Sequence, residues 1–278
     1  MMTMNNRAST PAAEWPEVFV DSHVHVFSRA MPFDERAWNK PDYEFTTEQL
    51  IATLDTHGIP FAIISAASLF GDLNDYTLAA TTAHPRLRGT GIVGVDTSTR
   101  ELQAFRDGGI VGIRLQWSTV GPIPDISHSS YRRLFYRLKT LGMHVEVVAR
   151  HADLGVILDQ LAMDDVPTVI NHFGHPEPDL GAQSPSFLAT LHAAERENVF
   201  VKLSAGFRLG STDYTADLAR RLLDTFGPER LFWGSDCPFV GREGQRDYAH
   251  ILQEFRHWVP DINDRLAMAK ASLRFYFG

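Results

Sequence analysis

Val18-Phe-Val-Asp-Ser-His-Val-His-Val-Phe27 opens with an apolar, β-branched run and closes on two histidines set two residues apart. Side chains two apart on a strand point the same way. A strand predicted over 18–23 therefore lets His23 and His25 face one point beyond its end. Outward from this run, similar short apolar segments recur over 61–65, 89–95, 111–115, 144–148, 168–172, 199–204 and 231–236. Most are near-continuous in Val, Ile, Leu and Phe, as strands buried on both faces should be.

The intervening segments read as helices. Thr46 and Gln49 have capping-box spacing, with Phe45 and Leu50 placed as a hydrophobic staple. Leu50, Ile51 and Leu54 make the buried stripe, and Gly58 suits the residue after the helix end. Tyr131, Leu134, Phe135 and Leu138 form a second stripe that stops near Gly142, and Leu154, Ile157, Leu158 and Leu161 form a third. Comparable patterns cover 72–83, 98–107, 185–197, 213–226 and 245–257, and a final helix is predicted over 262–275. Eight strand–helix alternations favour the α/β class and a single (β/α)8 TIM barrel over an open doubly wound sheet. No G-x-G-x-x-G loop follows the first strand, which weakens a dinucleotide-binding reading. The polar and aromatic stretch 27–45 follows that strand, so it should lie over the barrel mouth.

Composition narrows the partners. The chain has 278 residues, which one barrel domain accommodates, here over 18–278 behind a flexible tail over 1–17. The formal net charge is −8 with no basic tract, against a nucleic-acid surface. No apolar run is long enough for a membrane span. Cys237 is the only cysteine, so no intrachain disulfide forms, and the cytoplasm is the expected compartment. The sequence is compatible with a homo-oligomer and does not fix one.

Four residues at predicted strand ends carry the chemistry. His23 and His25 suit a divalent cation or a polarised carbonyl oxygen. Asp236, in Leu231-Phe-Trp-Gly-Ser-Asp-Cys-Pro, closes the eighth strand. A carboxylate there is costly unless paired, and it reads as a general base for water, or as a helix cap or ion-pair partner. His172 ends the sixth strand and suits a metal or a substrate carbonyl. His175, before a proline, reads as a turn residue, and His144, at the opposite barrel end, as structural.

Asp21-Ser-His-Val-His25, Asn171-His-Phe-Gly174 and Trp233-Gly-Ser-Asp-Cys-Pro238 together resemble the amidohydrolase-2 branch of the amidohydrolase superfamily, in the same order along the chain. Gly112-Ile-Arg114 and Val201-Lys-Leu-Ser204 make the resemblance closest to its lactonases, including pyrone-dicarboxylate and sugar-lactone hydrolases. The resemblance spans about Val18 to Phe277. It implies a hydrolase that opens a small anionic lactone, with Asp236 and His172 catalytic. It also implies that His23, His25, His172 and Asp236 are the ligands where one divalent metal ion, zinc first, is bound. The group is implied to include metal-independent members. Binuclear relatives carry a carboxylated lysine mid-barrel and a further histidine. Here the fifth strand offers Glu146, and the seventh offers Lys202 and Ser204 instead.

Arg114 and Arg208 fall at positions that the resemblance makes anion-binding. An ion pair with Glu146 remains the alternative for Arg114, and a solvated loop position for Arg208. Tyr43 is a substrate contact or a rim-packing ring. Trp117 and Cys237 read as packing. Two rival functions remain: a metal-dependent decarboxylase of an aromatic or muconate-type acid, and a barrel that binds a small anion without catalysis.

Overall fold

The computed structural model describes residues 17–118 and 123–278. Of the tail expected over 1–17, residues 1–16 lie outside the described residues. Glu17 is tied down, its carboxylate accepting from Arg265 at 3.0 Å and Arg256 at 3.2 Å.

Eight strands make one parallel sheet in sequence order: β1 (Val20–Val24), β2 (Phe61–Ile64), β3 (Leu87–Gly91), β4 (Ile110–Trp117), β5 (His144–Ala149), β6 (Thr168–Ile170), β7 (Val199–Ser204) and β8 (Leu231–Gly234). Past the end of β8 the chain turns back onto β1. Asp236 N donates to His23 O, His25 N donates to Cys237 O, and Val24 bridges Cys237. The first and last strands therefore meet at the barrel mouth, as a (β/α)8 barrel requires. Asp21 clasps the same seam: its Oδ1 accepts from Ser235 N at 2.9 Å and its Oδ2 from the Tyr248 hydroxyl at 2.7 Å.

Among the described residues, nine α-helices follow the expected pattern: α1 (Thr47–Thr56), α2 (Asp75–Ala83), α3 (Thr99–Asp107), α4 (Ser129–Thr140), α5 (Leu154–Asp164), α6 (Pro185–His192), α7 (Thr212–Phe226), α8 (Tyr248–Trp258) and α9 (Ile262–Phe277). Both halves of the Thr46–Gln49 capping box form, and Ser98 with Glu101 builds a second one at α3. Leu50, Leu54, Leu134, Phe135, Leu138, Ile157 and Leu161 are all buried between helices and sheet.

Most strand ends shift by a residue or two from expectation, and three of the shifts matter for the site. β3 stops at Gly91 rather than 95, because the Asn74 amide bonds both the N–H and the carbonyl of Ile92 and takes them from the sheet. β6 and β8 stop at Ile170 and Gly234, so His172 and Asp236 sit just beyond their strands rather than in them. At both, the backbone turns into the left-handed region, with φ of 54° at His172 and 66° at Asp236.

The barrel interior is layered. Val20, Ile63, Val111, Val169 and Phe232 form an apolar floor, and α9 covers it with Tyr276 and Phe275. Above lies a buried polar layer of Ser65, Thr90, Glu146 and Lys202. The register of β1 on β2 shifts between Asp21 and Val24. This irregularity lets Val20 join the floor while His23 and His25 both reach the mouth.

Candidate active site

The site is built where β1, β6, β7 and β8 end. Among the described residues, seven non-glycine positions have positive φ, and six of them follow β6, β7 or β8: His172, Phe173, His175, Ala205, Asp236 and Phe239. Left-handed backbone at ordinary residues costs energy and persists where surrounding structure holds it, often at functional sites.

His23 is fully buried under the mouth. Its Nδ1 lies 3.2 Å from Ser65 Oγ, which lies 3.2 Å from both Glu146 oxygens. A carboxylate accepts only, so the hydroxyl proton goes to Glu146. The hydroxyl oxygen then accepts from His23 Nδ1–H, leaving a lone pair on Nε2. Burial, with Lys202 and His172 nearby, holds His23 well below the usual histidine pKa, consistent with a neutral ring. His25 Nδ1 donates to the Ser65 carbonyl at 2.8 Å, so a neutral His25 also presents a lone pair at Nε2. Both Nε2 atoms face Asp236 Oδ1, at 3.6 Å from His23 and 3.5 Å from His25.

With both rings in that state three electron-pair donors converge on one point, and His23 Nε2 has no hydrogen-bond partner. Their ligand atoms lie within 4.8 Å of one another. Two nitrogens and a carboxylate oxygen are a donor set that fits a divalent cation such as zinc. A proton on one imidazole is the other way to satisfy them. His172 is not in this group. Its ring packs 4.7 Å from that of His23, and its Nδ1 lies 2.8 Å from Ser204 Oγ. Burial drives its pKa down to about 3.

The other Asp236 oxygen, Oδ2, accepts from Arg208 Nε at 2.8 Å, and Arg208 Nη2 is anchored on the Val240 carbonyl at 2.9 Å. Burial alone would raise the Asp236 pKa. The Arg208 guanidinium outweighs it and holds this carboxyl well below the usual range. Arg208 is therefore an ion-pair partner at the mouth rather than a solvated loop residue.

Arg114 donates from Nη1 to the Ala66 carbonyl at 2.7 Å, and its Nε stands 3.8 Å from Glu146 Oε2, too far for a hydrogen bond. Burial lowers its pKa to about 10. Glu146 instead accepts from Thr90 at 3.1 Å and is in close contact with Lys202 Nζ. Lys202 also lies 3.5 Å from His23 Nδ1, and burial, with Arg114 nearby, pushes its pKa well down. This cluster supports His23 from below.

A cavity of about 240 Å³ opens above these groups. His25, Arg114, His172, Arg208 and Asp236 all line it, as do His175, Gln116 and Trp38. The placement of His175 departs from its reading as a turn residue alone. It is in the turn, but its ring stacks on His151 at 4.9 Å and also walls the cavity. Tyr43 is not among the lining residues. Its ring packs on Phe27 at 5.4 Å and its hydroxyl donates to Glu243 at 3.1 Å, which is the rim-packing alternative. His144 lies at the barrel floor against Phe275 and Tyr276. Cys237 is buried, and burial pushes its thiol well up, against a nucleophilic role.

Trp38, Gln116 and the Asp21 clasp were not assigned roles from sequence. Asp21 carries a readable signal, a carboxylate inside a fully buried strand. Burial raises its pKa to about 6 despite the bonds from Ser235 and Tyr248. Trp38 carries none, since a loop tryptophan 14 residues past the end of β1 has no pattern to place it.

The family described as Amidohydrolase matches residues 20–276. A 2-pyrone-4,6-dicarboxylate hydrolase of Comamonas testosteroni is 28% identical over 91% of this chain and 87% of its own. A 4-sulfomuconolactone hydrolase of Hydrogenophaga intermedia is 25% identical over 83% and 76%. Among solved structures, a probable 2-pyrone-4,6-dicarboxylic acid hydrolase of Acinetobacter baumannii with citric acid bound superposes with a TM-score of 0.88. It is 27% identical, over 92% of this chain and 98% of that one. No helix among the described residues is long and apolar enough to cross a membrane.

Proposed function

The chain belongs to the amidohydrolase family, and from that premise we propose that it is a hydrolase opening a small, carboxylate-bearing lactone with water activated by Asp236. One observation carries the reading: an ionised Asp236 shares a cavity with two arginines, Arg208 on its own oxygen and Arg114 opposite. A base, an anion clamp and a confined volume are what such a reaction needs. The relatives named as pyrone-dicarboxylate and sulfomuconolactone hydrolases support it.

In this reading the substrate carboxylate is held by Arg114 and Arg208 through charge-assisted hydrogen bonds. Drawing Arg208 toward the substrate loosens its hold on Asp236 and makes that carboxylate a better base as the complex forms. Asp236 takes a proton from water while the water oxygen bonds to the lactone carbonyl carbon. His172, neutral in its buried position, donates from Nε2 to the developing oxyanion, with its Nδ1 held by Ser204. The ring C–O bond then breaks, and the proton on Asp236 passes to the leaving ring oxygen. His23, His25 and Asp236 would hold a divalent cation, zinc first, which when bound supplies Lewis-acid polarisation of the carbonyl.

A panel of carboxylated lactones in a pH-indicator assay tests the reading, with Asp236→Asn beside the wild type. Asp236→Asn is expected to lower kcat by about 10²- to 10⁴-fold, with substrate still bound in calorimetry. Full turnover in that variant would remove the base assignment, and an inert panel would remove the lactonase reading.

A further inference from the structure

A second cavity, of about 360 Å³, adjoins the first and shares Ser68, Arg114 and Gln116 with it. The shared residues form a neck. Val93, Leu115, Trp117, Tyr131 and Leu134 line the second lobe, from the turn after β3, the end of β4 and the inner face of α4. Trp117 and Tyr131 meet edge to face at 6.2 Å, presenting two half-buried rings to the lobe. The charged residues on its rim, Asp34 and Arg36, bond to each other at 3.2 Å. The lobe therefore offers two aromatic rings and aliphatic side chains beside polar surface, and its rim charges are paired with each other.

We propose that this lobe is a substrate subsite, and that the lactone carries a flat apolar arm, an aryl or alkenyl group, that passes the Arg114 neck to lie against Trp117 and Tyr131. This deepens the lactonase reading and rests on it for the identity of the reacting ring. The site is then bipartite: Arg114 and Arg208 hold the anionic, reacting end, and the lobe holds the apolar end. Binding energy from such a remote part orients the reacting end. Continuity through three shared residues is what assigns the lobe to this substrate rather than to a separate ligand. A concave site that joins apolar and aromatic side chains to a few convergent polar groups is the usual form of a small-molecule site.

The test uses binding, so that it stands apart from turnover. Two pyridone carboxylates, aromatic lactams that resist ring opening, serve as probes. They are alike except for a methyl or a phenyl group on the ring carbon beside nitrogen. Calorimetry with the wild-type protein is expected to show the phenyl compound binding about ten- to a hundredfold more tightly, the effect of burying one ring. Val93→Trp, which fills the lobe from its rim, is expected to bring that affinity ratio close to one. The matching pyrone carboxylates then report turnover separately. If neither is opened while the phenyl pyridone still binds preferentially, the lactonase reading fails and the subsite stands. Equal or weaker binding of the phenyl compound, including no measurable binding, overturns the subsite, as does a preference that Val93→Trp leaves intact.

Discussion

Single residues in this barrel carry opposed demands, and Lys202 shows it most clearly. It is fully buried, in close contact with Glu146 and 3.5 Å from His23. A buried charged pair adds little net stability, yet breaking one strands the other charge. Lys202→Met should therefore cost about 3–5 kcal/mol in urea unfolding; a loss below about 1 kcal/mol would mean Glu146 is satisfied by Ser65 and Thr90 alone. His144 gives the pH dependence. Its pKa falls from 6.5 to about 3, burial being the main cause. Between those values the unfolded chain binds a proton that the folded chain does not. This stabilisation is complete above about pH 6.5 and is lost as the pH falls toward 3. The contribution is up to about 1.4 kcal/mol per pH unit. His144→Gln should show a shallower fall in stability from pH 7 to 4, and an unchanged slope would refute the assignment.

At the scale of elements, the site depends on how closely β8 approaches β1. A Cβ on Gly234 would stand 2.6 Å from His23 Cβ and 2.9 Å from His23 N. Only glycine allows that approach, because backbone and a strand-anchored side chain cannot yield as a flexible tip would. Gly234→Ala should part the two strands and move Asp236 from the histidine pair. The expected result is at least a tenfold loss of kcat/KM, since displacement by about 1 Å is costly at a reacting centre; turnover near wild type would show the seam to be plastic. The same seam shows why strand ends misled. An apolar run marks where a strand begins, but β6 and β8 end by a turn into left-handed backbone at His172 and Asp236, which those residue types do not announce.

For the whole molecule, closure of the barrel brings chain positions 23, 25 and 236 to one point. The metal-capable group exists only because of it. Elemental analysis of protein purified without chelator should give about one divalent ion per chain. Lys202 lies on the Nδ1 side of His23, so a second ion has no free ligand set there. Turnover is expected to fall on chelation and to return when the ion is restored. No metal with undiminished turnover would assign the neighbouring positive charge to an imidazolium instead.

Read alone, the chain shows the alternation of strands and helices, the barrel, the family, and the residues proposed for the site. These follow from local periodicity and from residue types at strand ends, which a linear chain displays directly. What those residues face emerges only once the chain is folded. Folding placed Arg208 on Asp236, set Glu146 against Lys202 with Arg114 at ion-pair distance, left Tyr43 on the rim and brought Trp38 and His175 to the cavity wall. Side-chain pairing across a closed barrel depends on register and on irregularities such as the shift in β1. One residue of slip exchanges the inside of a strand for its outside, so pairings between strands far apart in sequence are fixed only when the barrel closes.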